Sequence, residues 1–205
     1  GVAAAAAHAW RETEHVYLKG NDLHKRFKVG QEVTGRFTVG EIGFGSGLGF
    51  ISTWRMFNER ATARCGLVYV AFEAPPIHPD AMAEIWAPLL EARPEARPEV
   101  ERFLASYRPW RQGLQVFRFD GGRVRLHLHV GDALHFLGSG IPGREPARLP
   151  DFAVDAWFLD GFAPRANPSA WLPELLTSLS LRSRRHLATT LSTFSVAASV
   201  RDALS

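Results

Sequence analysis

Phe37-Thr38-Val39-Gly40-Glu41-Ile42-Gly43-Phe44-Gly45-Ser46-Gly47-Leu48-Gly49-Phe50 reads as a buried strand, a glycine turn and the start of a helix. Gly43, Gly45, Gly47 and Gly49 fall at every second position, and Glu41 stands just before them. Glycine reaches backbone angles closed to other residues, and its missing Cβ lets a ligand lie against the main chain. Strand, glycine turn, helix is how an open α/β sheet presents a nucleotide site at the carboxyl end of its first strand. The same turn is also compatible with a tight loop that binds nothing. Its context decides.

The surrounding pattern is α/β. Apolar spacing after Leu48 predicts a helix to about Arg60, and residues 67–72 form a strand too apolar to be half exposed, ending at Glu73. Helices are expected over 80–90 and behind Pro98, which suits a first helical turn. Asp120-Gly121-Gly122 between two apolar runs predicts a hairpin. In its second arm Val124, Leu126, Leu128 and Val130 share one face. His127 and His129 share the other, expected to be solvated, and two histidines without a third ligand make a poor metal site. A short helix over 133–137 and a loop over 138–150 follow. Then come a buried strand over 154–159, a helix from about Ser169, a strand over 187–194 and a helix from Val196. Strands alternating with helices predict a doubly wound, mainly parallel, Rossmann-like sheet. The sheet is unfinished where the chain stops, the expectation for a truncated domain. Residues 1–35 are expected to pack on the core as an N-terminal extension, with 36–205 as the domain proper.

The bulk numbers agree. A chain of 205 residues, 46% hydrophobic and 22% charged, suits one α/β domain. Cys65 is the only cysteine, which excludes a disulfide framework and a thiolate metal cluster and fits a reducing cytoplasm. No apolar run reaches about 18 residues, the length of a membrane span. The alanine-rich start lacks a basic leader and makes a poor signal peptide. A net charge of +3 permits a nucleic-acid partner without requiring one.

Acids stand at the strand ends: Glu41, Glu73, Asp132 and Asp160. A parallel sheet gathers them on one rim although they span up to 119 positions. Glu73 can accept from both hydroxyls of a ribose, and Asp132 from an adenine amine, though Gly-Asp before a helix is also an ordinary cap. Glu41 can hold an ammonium or orient the loop. Asp160, between an apolar strand and a glycine, can become a usable base through burial. Glu73 lies 26 residues beyond Gly47, against about 20 for the ribose acid of NAD enzymes, so spacing alone leaves NAD open. The loop, however, is G-F-G-S-G-L-G rather than G-x-G-x-x-G, and an acid within it repels a diphosphate. A zwitterionic ligand, S-adenosylmethionine, fits better.

The loop, Ala71-Phe72-Glu73, and above all Asp155-Ala156-Trp157-Phe158-Leu159-Asp160-Gly161-Phe162-Ala163-Pro164-Arg165-Ala166-Asn167-Pro168 resemble the methyltransferase domain of the MnmC family. So do Val16-Tyr17-Leu18-Lys19-Gly20-Asn21-Asp22-Leu23 upstream and Leu187-Ala188-Thr189 and Val200-Arg201 downstream. The resemblance implies methyl transfer from S-adenosylmethionine to the amine of 5-aminomethyluridine or its 2-thio form at the tRNA wobble position. It implies that Glu41, Gly43, Phe44, Gly45, Ser46 and Gly47 hold the methionine part, Glu73 the ribose and Asp132 the adenine. Asp160, Gly161, Phe162 and Pro164 would line the amine pocket. The implied partners are a tRNA anticodon stem-loop, with Arg144, Arg148 and Arg165 as phosphate contacts, and an FAD-dependent oxidase, fused or separate; no FAD domain is expected in this chain. Gly49 stands where the family usually has asparagine, and Arg184-Arg185-His186 where it usually has Pro-Gly-Gly. A small-molecule amine acceptor and a non-catalytic RNA-binding module are the alternatives.

Overall fold

The computed structural model describes residues 1–108, 111–137, 152–160, 173–184 and 188–194, without the side chains of 29–34 and 173. The chain opens with α1 (Val2–Thr13), a π-helical turn (Glu14–Lys19) and α2 (Leu23–Thr34). The mixed polar spacing of 10–35 hides these helices from a periodicity reading, while the Gly20-Asn21-Asp22 turn falls between them as expected. β1 (Arg36–Ile42) is buried at every position after Arg36. The glycine turn leads to α3 (Leu48–Arg60) and then β2 (Gly66–Glu73).

α4 (Pro79–Ala92) and α5 (Arg97–Ser106) carry the chain to β3 (Gly113–Phe119) and β4 (Val124–Val130), the expected hairpin. α6 (Ala133–Leu137), β5 (Ala156–Leu159), α7 (Pro173–Leu181) and β6 (Thr190–Thr193) complete the described elements. The loop expected over 138–150, the whole block from Gly161 to Pro168 and the helix expected from Val196 lie outside the described residues.

The sheet order is β3-β4-β2-β1-β5-β6. Every neighbouring pair is parallel except β3 with β4. β1 has β2 on one side and β5 on the other, so the winding reverses at β1. In an open α/β sheet that switch point is where ligands bind. Two apolar clusters sandwich the sheet. One packs Phe37, Val39, Tyr69, Leu126 and Phe158 under α1 to α5; the other packs Val68, Val70, Phe72 and Trp157 under α6 and α7.

One expectation fails. His129 is fully buried rather than solvated. β4 is an interior strand with α6 over that face, so alternation does not separate core from water. The ring stacks on Phe72 at 4.9 Å and packs against Phe136 at 5.1 Å. Burial pushes its pKa down to about 4.

The β1–β5 seam is fixed at both ends of β5. At its start the Asp155 carboxylate accepts the Thr38 N–H at 2.8 Å and pairs with the Arg184 guanidinium at 2.5 Å. Within the seam Gly40 sits opposite Trp157, where a Cβ would overlap the indole ring. Gly40→Ala should therefore cost about 1–3 kcal/mol by overpacking. Urea denaturation should show a lower midpoint with an unchanged slope.

Candidate functional site

The site follows from strand register. Ile42 aligns with Phe72 of β2 and Leu159 of β5. The next row out therefore holds Gly43, Glu73 and Asp160. Backbone bonds fix it: the Gly43 N–H donates to the Phe72 carbonyl at 2.9 Å, and the Asp160 N–H to the Ile42 carbonyl at 3.0 Å. With strands about 4.8 Å apart, Glu73 and Asp160 flank β1 with backbones roughly 10 Å apart.

Gly43, Gly45 and Gly47 all take positive φ, at 89°, 51° and 77°. That conformation is costly for other residues, and it accounts for the spacing of the motif. The Gly45 N–H donates to Glu73 Oε2 at 2.7 Å, tying the loop to the end of β2. On the other side the Trp86 indole N–H donates to the Ser46 carbonyl at 2.9 Å. Trp86 packs edge-on against Trp10, whose own N–H donates to the Leu89 carbonyl at 3.0 Å. α1 thus braces α4, and α4 holds the loop. Beside Gly45 an added Cβ would meet no atom within 4 Å, so the outer surface of the loop is open.

Behind the loop lies Glu41, completely buried. Among the described residues neither of its carboxylate oxygens has a hydrogen-bond partner of normal geometry. Burial pushes its pKa well above the usual carboxylate range, and the charges of Asp160 and Glu73 push the same way. The Tyr69 hydroxyl of β2 stands beside it and partly offsets the rise, although the pair is not in good hydrogen-bonding geometry. A Cβ at Gly49 would lie 2.5 Å from Glu41 Oε1 and 2.8 Å from the Tyr69 hydroxyl. The first turn of α3 is therefore free of a side chain because Glu41 and Tyr69 fill that space. An asparagine at 49 would have to displace them.

Glu73 is also shifted upward, chiefly by burial. N–H groups of Gly45, Ala74 and Phe44 offset this, while Asp160 adds to it. Glu41, Glu73 and Asp160 thus form one electrostatic cluster. Asp132 lies just beyond β4, one strand further from β1 than Glu73. It follows Gly131, whose N–H donates to the Glu73 carbonyl at 2.9 Å, so it stands at the same edge. Its own carboxylate caps α6, accepting the Leu134 N–H at 2.9 Å. Gly161, Phe162, Pro164, Arg144, Arg148 and Arg165 lie outside the described residues. Sequence reasoning missed Tyr17, Tyr69 and Trp86. Each sits in an apolar run whose periodicity announces core, and nothing local marks its polar atom.

A profile of S-adenosyl-L-methionine-dependent methyltransferases matches residues 94–205, more than half of the chain. The tRNA 5-methylaminomethyl-2-thiouridine biosynthesis bifunctional protein MnmC of Pseudomonas syringae pv. syringae is 40% identical over 194 residues, covering 94% of this chain and 26% of the relative. Its counterpart from Leptospira interrogans is 37% identical over 197 residues, covering 95% and 27%. The chain therefore spans about a quarter of the length of these relatives. The crystal structure of MnmC2 from Aquifex aeolicus superimposes with a TM-score of 0.62 at 21% identity, covering 95% of this chain and 52% of that one, which supports the same fold.

A carboxyl whose pKa is raised on folding binds its proton more tightly folded than unfolded. It therefore costs stability as pH rises from the unfolded value toward the folded one. The ligand-free chain should lose stability from this source as pH rises above about 4.3. Glu41→Gln should remove that loss. In paired denaturation curves the variant's advantage should grow between pH 5 and pH 8; a constant difference would contradict the raised pKa. Taking the difference cancels His129, whose lowered pKa acts with the opposite sign in both proteins.

Proposed function

The chain belongs to the S-adenosyl-L-methionine-dependent methyltransferase family, and on that premise we propose that it methylates the amine of 5-aminomethyluridine, or its 2-thio form, at the tRNA wobble position. The observation that carries this reading is Glu41, buried behind an open glycine loop with both oxygens lacking a well-formed partner. A buried, unpaired carboxylate calls for a cation, and the methionine ammonium is one. The names of the relatives supply the acceptor.

In this reading Gly43, Phe44, Gly45, Ser46 and Gly47 cradle the methionine part beside Glu41. Glu73 accepts from the ribose hydroxyls. The Asp132 carboxylate faces the adenine amine while still capping α6. Bound S-adenosylmethionine supplies a methyl group on a sulfonium, open to in-line displacement. The remaining work falls to the acceptor pocket of Asp160, Gly161, Phe162 and Pro164. The acceptor arrives largely as an ammonium and must be neutral to attack. Asp160 holds it, takes one proton on a carboxylate oxygen and leaves the nitrogen lone pair free. The N–CH3 bond forms as the S–CH3 bond breaks, and the positive charge passes from sulfur to the methylated amine. Such a step depends mainly on positioning.

The wobble base has to leave its stack to reach the pocket, as single-stranded loop bases do for modifying enzymes. A tRNA acceptor puts the work in the cytoplasm. Among the described residues no helix is long and apolar enough to cross a membrane. An FAD-dependent oxidase, fused or separate, is the expected partner, and the relatives are named as bifunctional proteins.

Labelled-methyl transfer to tRNA bearing 5-aminomethyluridine tests the proposal; bound cofactor without incorporation would defeat the tRNA acceptor. Asp160→Ala should spare cofactor binding and lower kcat by about 10²–10⁴. Glu73→Ala should weaken cofactor binding about tenfold or more, as expected for lost charged hydrogen bonds. An unchanged dissociation constant by calorimetry would remove its ribose role.

A further inference from the structure

The two rims of the sheet differ in charge. The carboxyl rim gathers Glu41, Glu73 and Asp160. The amino rim gathers arginines, because parallel strands share that edge as well. Arg36 opens β1 and aligns with Gly66 of β2, and Arg125 of β4 aligns with Val68 of β2. Arg64 lies in the turn before β2. The hairpin adds Arg118 of β3, which stands directly opposite Arg125. Like charges in that position destabilise a strand pair, and an anion lying over them removes the cost.

Arg36, Arg64, Arg123 and Arg125 line a cavity of about 320 Å³, and among the described residues no acidic side chain lines it. Arg123 serves the fold. It donates to the carbonyls of Cys65 at 3.0 Å and Thr62 at 3.2 Å and lies over the Phe57 ring at 4.7 Å. Arg125 Nε donates to the Gly122 carbonyl at 3.1 Å, which holds its guanidinium at the cavity. Asp120, the one acid of the hairpin, is turned toward α3, where it accepts from the Trp54 indole at 2.7 Å and pairs with Arg102. The face that carries Arg118 and Arg125 is open at β3: Leu114, Val116 and Arg118 share it, and all three are exposed. α6 covers its carboxyl half, where Phe136 packs on Phe72 and His129.

An RNA whose base reaches Asp160 brings its own phosphates to a rim of carboxylates, which repel them. Its backbone affinity then has to come from basic groups elsewhere. Asp160 falls in the row of Val130, so Arg125 lies five rows down and three strands across, roughly 20 Å away. That span covers several nucleotides of one strand.

We propose that this arginine face at the amino edge of the sheet, with Arg64, Arg118 and Arg125 as its contacts, binds the tRNA phosphate backbone while the base under modification lies at the acid rim. The inference rests on the reading of the acceptor as a tRNA. It assigns the electrostatic part of recognition and the chemistry to opposite edges of one sheet.

The test is tRNA binding by the chain over a series of salt concentrations, with an unmodified transcript so that no methyl transfer is needed. Arg118→Gln with Arg125→Gln, and Arg64→Gln alone, remove charge and keep much of the side-chain length. Each arginine lost should flatten the slope of log Kd against log salt by about 0.7–0.9, and the double variant should bind about tenfold more weakly near physiological salt. Cofactor Kd should stay unchanged. The denaturation midpoint of the double variant should hold or rise, since a repelling pair is removed. A wild-type salt slope in both variants would overturn the proposal and leave the face to a protein partner. A lowered midpoint with an unchanged slope would overturn it too, marking the arginines as structural. Wild-type chain that binds tRNA through this face but methylates none counts against the proposed acceptor amine alone. Methylation of tRNA with unaltered slopes in the variants counts against this face alone.

Discussion

A carboxylate sunk in the middle of a parallel sheet is the constraint around which this molecule is arranged. Removing an ionised group from water without a partner costs several kcal/mol even after relaxation. Glu41 meets that cost in its ligand-free form by a raised pKa. A bound cation would meet it differently, by favouring the charged form. The same group, held at the switch point of the sheet, therefore both burdens the empty fold and prepares it for a positively charged ligand. Its neighbours follow. Gly49 is small because Glu41 and Tyr69 occupy the space a side chain would need. Glu73 and Asp160 fall beside it because three parallel strands end in register.

Around this centre the scaffold is built from aromatic rings, several of which use their polar atoms to fix a neighbour. Trp10 reaches a carbonyl of α4, Trp86 the loop at Ser46, Trp157 the hydroxyl of Ser183, and Tyr17 the acceptor end of β5. Large rings bury much apolar area, and one directed N–H or O–H fixes their orientation. The glycine loop is held from two directions, by Trp86 on one side and Glu73 on the other. Rigid placement of this kind suits a displacement reaction, where misalignment by about 1 Å can cost 10²-fold.

The departures from the family pattern have local reasons. Gly49 belongs with Tyr69. Arg184, standing where the family usually has proline and glycines, neutralises Asp155, which in turn holds the Thr38 N–H. The β1–β5 seam is thereby closed with an ion pair.

The sequence by itself determined the fold class and most of the rim. Alternating apolar runs and helical spacings give the doubly wound sheet. The glycines at every second position match three positive-φ residues, and the acids at strand ends follow from the rule that parallel strands share one carboxyl edge. These features are local or periodic, so they survive in a linear string. Only the tertiary structure decided the rest. That Glu41 is buried without a well-formed partner and that His129 is core rather than surface depend on which layers cover which strand. That Tyr17 reaches the Leu159 carbonyl depends on a contact across 142 positions. Burial and long-range hydrogen bonds are properties of packed layers, and no pattern within one segment encodes what packs on it.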